Sequence, residues 1–541
     1  MSSAASAPAL RPTPPPADAL VQGRRLAASW AKIGPLVIAG VVFGVSSWAM
    51  QSYPVGIFHD DGVYLILAKA IAGGEGYRYL HIPGAPLATH FPPGYPLLLA
   101  ALWKLAPSFP QNVVLFLFAN AVLLAVAARN VNDFARRLGW PAPLSAAAAI
   151  AGTLSLPLLM LASLVLSEVL FLTLLLPLLV AAERLVRDDP GWKRAAVIGL
   201  AAGALALVRT HAVAAIAGVV IVLLARRRWR AAACVAAGAC VALLPWQLWV
   251  TLHERSIPAP LSGSYGSYLG WFFDGVAGGG STFVLRTAAT NLAHVTALFA
   301  DRVAPWTPAW ARITSVAVAG CLVAAGIIRQ RHRLPVTIAF FVCYVGVVLV
   351  WPFTPWRFLW AIWPIPVVLM LEGARACVSG RLPLTRGALP LRIALVSAAA
   401  LVGIGAVGAE VKAYRTRAWT EPARNASREI APLMRWVAQR TRPGDVLLAD
   451  GESMVYLFTG RQAMPPVPFT AAEYVVPRTL DADARSLEEL LSRYPVRYLL
   501  TVVPSTRVTA ANLAARDQNG APRLHEIDEL VGGAVFEVER R

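Results

Sequence analysis

Charge is what this chain has least of. Only 15% of its 541 residues are Asp, Glu, Lys or Arg, against about 25% in a typical soluble protein, which argues against an ordinary water-soluble enzyme. The shortage is sharpest in acids, with 14 Asp or Glu in residues 1–410 and 16 in residues 411–541. Cysteine is also scarce. Cys234, Cys240, Cys321, Cys343 and Cys377 all fall in apolar runs or beside an Arg-rich loop, so neither a disulfide framework nor a zinc-type spacing is available. A Gly-rich phosphate loop is missing too, since Gly74-Glu75-Gly76 is no nucleotide motif, and no fixed-period repeat is visible.

What the chain has is apolar length. Hydrophobic residues supply 57% of it, in runs centred on 33–50, 112–128, 143–160, 163–182, 195–208, 212–225, 231–250, 310–328, 335–352, 357–374 and 391–410. With about 20 residues per span, these predict a polytopic α-helical membrane protein of about 11 transmembrane helices. The net charge of +19 would suit nucleic acid, but the positives stand in short clusters between apolar runs, as topology signals do, and no nucleic-acid partner is expected. Alternating sides from a cytoplasmic N-terminus puts 22 Lys or Arg in about 87 inner residues and 8 in about 134 outer ones. That bias predicts a multi-pass protein of the inner (cytoplasmic) membrane, with outer loops 51–111 and 251–308 and the tail on the periplasmic or extracellular side.

Three regions follow. Residues 1–32, Pro- and Ala-rich with Arg24, Arg25 and Lys32, are expected to be a disordered cytoplasmic leader before an uncleaved signal anchor. Residues 33–410 form the membrane domain. Residues 411–541 alternate helix and strand patterns, with strands near 446–449, 497–503 and 535–538 and helices near 427–440, 486–494 and 508–516, and so predict a small extracytoplasmic α/β domain. The stretch Ala195–Ala225 is too short for two full spans; the charge rule favours two short helices whose outer turn carries Arg209 and His211. In the first outer loop, Val63–Ala72 and Leu97–Ala106 read as short interfacial helices.

The adjacent acids Asp60 and Asp61, just beyond the first span, are the sharpest chemical feature. Consecutive helical residues point about 100° apart, so one carboxylate acts on a substrate while the other caps the helix or holds a metal. A second set lies at outer helix ends: Arg209, His211, Arg357, His253 and Arg255, with Glu254 between the last two. Together they favour an anionic ligand held by charge-assisted bonds. Glu168 is either a counter-ion for one of those arginines or a substrate contact. His90 and Tyr95 complete the candidate substrate contacts. Glu75, His81 and His90 offer oxygen and imidazole donors that suit a divalent cation, but their spacing matches no metal motif; they read as loop polarity, and no metal ligand is assigned. Tyr265, Tyr268 and Trp271-Phe272-Phe273 read as interfacial anchors.

The order of these features resembles the GT-C superfamily over about residues 30–410. The features are Asp60-Asp61-Gly62, Tyr64-Leu65, Gly74-Glu75-Gly76-Tyr77, Phe91-Pro92-Pro93-Gly94-Tyr95-Pro96, Ser167-Glu168, Val208-Arg209 and Trp356-Arg357-Phe358. In pattern the chain is similar to the protein O-mannosyltransferase-like and lipid A aminoarabinose transferase-like glycosyltransferases, with Phe91 where the latter carry Lys. The resemblance implies inverting transfer of a sugar from a polyprenyl-phosphate carrier to a glycan, lipid or protein acceptor on the outer face. Asp60 would be the general base and Asp61 its supporting carboxylate. The tail resembles the extracytoplasmic α/β domains attached to such enzymes. Two other classes compete: a transporter or flippase of lipid-linked saccharides, which would want polar or broken segments at mid-membrane, and a polymerase or ligase leaning on outer-loop arginines.

Overall fold

The structure, a computed structural model, describes residues 17–188, 191–305, 308–379, 389–515, 523–530 and 533–539. All eleven apolar runs are helical. Among the described residues five helices are long and apolar enough to cross a membrane, or six if the bent pair Ala142–Thr153 and Leu156–Ala162 counts as one span; the expected count of about eleven is thus not established. That pair bends by 57° where Pro157, lacking an amide proton, opens a new helix after Ser155. Pro364 restarts the chain in the same way after the short helix Trp356–Ala361. The first helix runs over Ala17–Trp48, and residues 1–16 of the expected leader lie outside the described residues.

The helices pack around a continuous apolar core but leave many large apolar side chains outside. On the last long helix, Leu389–Thr416, Leu401, Ile404 and Val407 are 65–69% exposed. A water-facing helix would not spread that surface, and lipid accommodates it. The Ala195–Ala225 stretch folds as expected, with Trp192–Ala206 and Val213–Ala225 joined by a 3₁₀ turn, Thr210–Ala212.

Beyond Thr416, past the boundary expected at 410, the chain forms an α/β domain. Its strands are β1 (Val446–Ala449), β2 (Gln462–Met464), β3 (Val496–Thr501), β4 (Arg523–Leu530) and β5 (Gly533–Glu539), ordered β2-β1-β3-β5-β4. β1 pairs parallel with β2 and β3, and β5 pairs antiparallel with β3 and β4. The helices Glu421–Arg440 and Leu480–Arg493 carry it, and the helix Glu452–Thr459 follows β1 directly. This last helix faces the membrane bundle and packs on the helix Asp60–Ala72.

Candidate active site

The turn before Asp60 decides where its carboxylate goes. The Asp60 amide donates to the Phe58 carbonyl at 2.6 Å, and His59 between them has φ 60° and ψ −63°, a γ-turn of the rare, strained hand. Such strain costs on the order of 1–3 kcal/mol and persists only where the surroundings over-determine it. Asp61 supplies part of that constraint. Its buried carboxylate accepts the amides of Gly56 at 2.7 Å and Phe58 at 2.9 Å. Burial raises its pKa, with the two amide bonds opposing. Asp61 therefore braces the loop, and it does not line the cavity its neighbour faces.

That cavity holds about 340 Å³ and is lined by Asp60, Arg209, His211, Arg357, His90, His59 and Glu452 among aromatic walls that include Phe91, Tyr268, Trp271, Trp351 and Phe358. Asp60 Oδ2 lies 3.0 Å from Arg357 Nη1. Arg357 Nη2 and Nε reach Glu168 Oε1 at 2.9 and 3.1 Å, and Arg209 Nη1 reaches the same oxygen at 3.0 Å and Ser167 Oγ at 2.9 Å. One fully buried carboxylate oxygen thus serves two guanidiniums, which makes Glu168 a counter-ion set behind the cavity wall. Asp60 is 27% exposed where Glu168 is 0%, so of the two acids only Asp60 can meet a ligand.

His90 Nδ1 stands 2.6 Å from the Gly266 carbonyl. A carbonyl only accepts, so Nδ1 carries the hydrogen and Nε2 is an acceptor. Burial lowers the His90 pKa to about 4, which keeps the ring neutral near pH 7. His211 stacks on Phe358 with centroids 4.4 Å apart, and its buried Nε2 has no partner among the described residues.

Three expected contacts stand elsewhere. Tyr95 is fully buried, edge-on to Tyr64. His253 turns Nδ1 to its own helix at the Trp249 carbonyl, 2.8 Å away, and Arg255 is exposed. None of the three lines the cavity. The second-loop aromatics expected as interfacial anchors divide: Tyr268 and Trp271 build the cavity wall and Tyr265 is buried behind it, while Phe273 is 64% exposed. His59 and Glu452 were not singled out in the sequence. Their signals were faint, a histidine directly before the acid pair and a glutamate directly after a glycine at the end of a strand. Among the described residues no three His, Cys, Asp or Glu side chains are grouped as metal ligands are, and both Asp60 and Glu168 answer cations that the chain itself supplies.

In fold the chain is similar to the crystal structure of ArnT from Cupriavidus metallidurans bound to undecaprenyl phosphate, with TM-score 0.53 and 13% identity over 94% of this chain and 98% of that one. The apo state of the same protein gives 0.52 and 14% over the same shares. An oligosaccharyltransferase from Archaeoglobus fulgidus, tethered with an acceptor peptide, is more distant at 0.49 and 11%, over 89% of this chain and 71% of that one. No family model matches the sequence, and no curated protein matches it.

Proposed function

We propose that the chain is an inverting glycosyltransferase that moves a sugar from a polyprenyl-phosphate carrier to an acceptor hydroxyl or similar group at the outer face of the inner membrane. The observation that carries this reading is Asp60 in the cavity wall, ion-paired to an arginine that a buried glutamate already holds in place. The similar fold of a protein solved with undecaprenyl phosphate supports a lipid-borne donor. So does the exposed apolar surface of the bundle.

In this mechanism the donor's phosphate enters beside Arg357 and Arg209 and competes with Asp60 for Arg357. The released Asp60 carboxylate takes the proton of the acceptor hydroxyl. The acceptor oxygen forms its bond to the anomeric carbon from the face opposite the phosphate, the carbon–oxygen bond to phosphate breaks, and its electron pair leaves with the lipid phosphate. A positioned base contributes about 10²- to 10⁴-fold to such a step. Arginines fixed in advance meet the charge that develops on the leaving phosphate without reorganising. His90 Nε2 is placed to accept from a sugar or acceptor hydroxyl, and the aromatic walls exclude water.

The test is mass spectrometry of cell-envelope glycans in a deletion strain carrying either the wild-type chain or D60N. The expected outcome is a saccharide that disappears on deletion, returns with wild type and stays absent with equally expressed D60N. Full return with D60N overturns the mechanism. Lipid-linked sugar crossing the membrane without transfer would support the transport reading instead.

A further inference from the structure

Glu452 belongs to the C-terminal domain, yet its carboxylate ends in the wall of the cavity that holds Asp60. The route is short. Gly451, at φ 80°, turns the chain out of β1 and into the helix Glu452–Thr459, a backbone conformation glycine adopts without penalty. Glu452 is 4% exposed. Its Oε1 accepts the Tyr265 hydroxyl at 2.5 Å and lies 2.9 Å from His59 Nδ1. A Tyr265 hydroxyl that gives its hydrogen to Glu452 must accept from His81, whose Nε2 is 2.9 Å away. Two donor lines, one from the first loop through Tyr265 and one from His59, therefore converge on a single buried oxygen. Burial favours the neutral acid, but His59 and His81 outweigh it and hold the Glu452 pKa at about 2.

Packing reinforces the junction on both sides of the strained turn. A Cβ on Gly62 would stand 2.4 Å from Ser453 Oγ, and Gly56, at φ 98°, has Met454 against it. The Ala463 amide of β2 donates to the His81 carbonyl at 2.8 Å. The C-terminal domain thus grips the segment that presents Asp60.

We propose that Glu452 is a positioning residue for Asp60, acting through His59, and that the C-terminal domain thereby completes the active site. This rests on the reading of Asp60 as the base. Without its partner, His59 keeps only the Asp61 brace to hold a positive φ that its side chain disfavours. Relaxation there re-aims the next residue, Asp60, away from Arg357. Burial works against a charged His59, while Glu452, Asp60 and Asp61 favour it, and the pKa is raised overall; His81, the other imidazole beside Glu452, is held neutral, its pKa lowered to about 3 by burial.

The test uses the full chain in nanodiscs, with release of undecaprenyl phosphate from a panel of undecaprenyl-phosphate-linked sugars as the turnover readout and undecaprenyl phosphate itself as the binding probe. E452A is expected to lose about 100-fold in kcat, the scale of a misplacement near 1 Å, with affinity for undecaprenyl phosphate undiminished, because an Asp60 turned away no longer competes for Arg357. E452Q keeps an oxygen for His59 but drops the charge. It should lose less, and it should move the alkaline fall in turnover to lower pH, because His59 then gives up its proton sooner. In a D60N background E452Q should add no further loss. Wild-type kcat in E452A, an unmoved pH profile in E452Q, or additive losses with D60N would each overturn the proposal. Should E452A fail to fold, E452Q carries the test through its pH shift. Full turnover in D60N sinks the parent reading, whereas an inactive D60N beside a fully active E452A sinks only this one.

Discussion

Two acids and two arginines share their charge at the loop-bearing end of the bundle, and Glu168 is the member with no route to solvent. Removing one partner of a buried ion network leaves uncompensated charge and costs about 3–5 kcal/mol. E168A is therefore expected to lower the unfolding free energy by about that amount, read by denaturant or thermal unfolding in detergent, and a change near zero would contradict its role as shared counter-ion. R357K should fold but turn over poorly, because an ammonium cannot present the planar fork that spans Asp60 and Glu168 together; kinetics with kcat preserved would show that the fork is dispensable. Asp60, Arg209, His211, Arg357 and Glu168 were legible in the sequence because an ionisable group at the end of an apolar run needs a polar reason to be there. The same argument drew in His253 and Arg255, since position at a helix end does not say which way a side chain faces, and Tyr95 came in with its Pro-rich loop motif, which says no more about direction. The strain at His59 was illegible: a γ-turn leaves no pattern in residue types.

Among elements, the decisive contact lies between the helices Asp60–Ala72 and Glu452–Thr459. Gly62 completes the Asp-Asp-Gly motif, and the structure gives it a reason, the approach of Ser453 from the other domain. G62A is expected to loosen that junction, seen as faster hydrogen exchange in residues 56–62 and 452–459, and S453G in the G62A background should restore protection. Equal exchange in G62A and wild type would mean the helices can separate at no cost. The apolar runs and β1 were readable from composition, as was the turn at Arg209 from its length. The breaks near Ser155 and Ile362 were not foreseen, although Pro157 and Pro364 mark them. β2 is only three residues long, and β4, Arg-Leu-His-Glu-Ile-Asp-Glu-Leu, carries the charge with which edge strands avoid further pairing; neither offers the apolar alternation that signals a strand.

At the scale of the whole molecule, the bundle supplies Asp60 and the arginines while the tail supplies Glu452, so domain docking and chemistry share one ion pair. Its pH dependence follows from the two partners. The His59 pKa is raised above 6.5, so its contribution is complete below 6.5 and fades as pH rises through the higher folded value. The Glu452 pKa is lowered from 4.5 to about 2, so its contribution is complete above 4.5 and fades as pH falls toward 2. Protection of the junction against proteolysis between the domains should therefore be greatest between pH 4.5 and 6.5, and a flat profile would deny the pair a part in docking.

All of this converges on one carboxylate, and the most direct measurement is single-turnover transfer from an undecaprenyl-phosphate-linked sugar by purified wild-type and D60N protein, with donor binding followed in the same samples. The account expects D60N to bind donor at least as tightly as wild type and to lose at least about 100-fold in the transfer rate. Equal rates would contradict it, and so would a loss explained wholly by weaker donor binding.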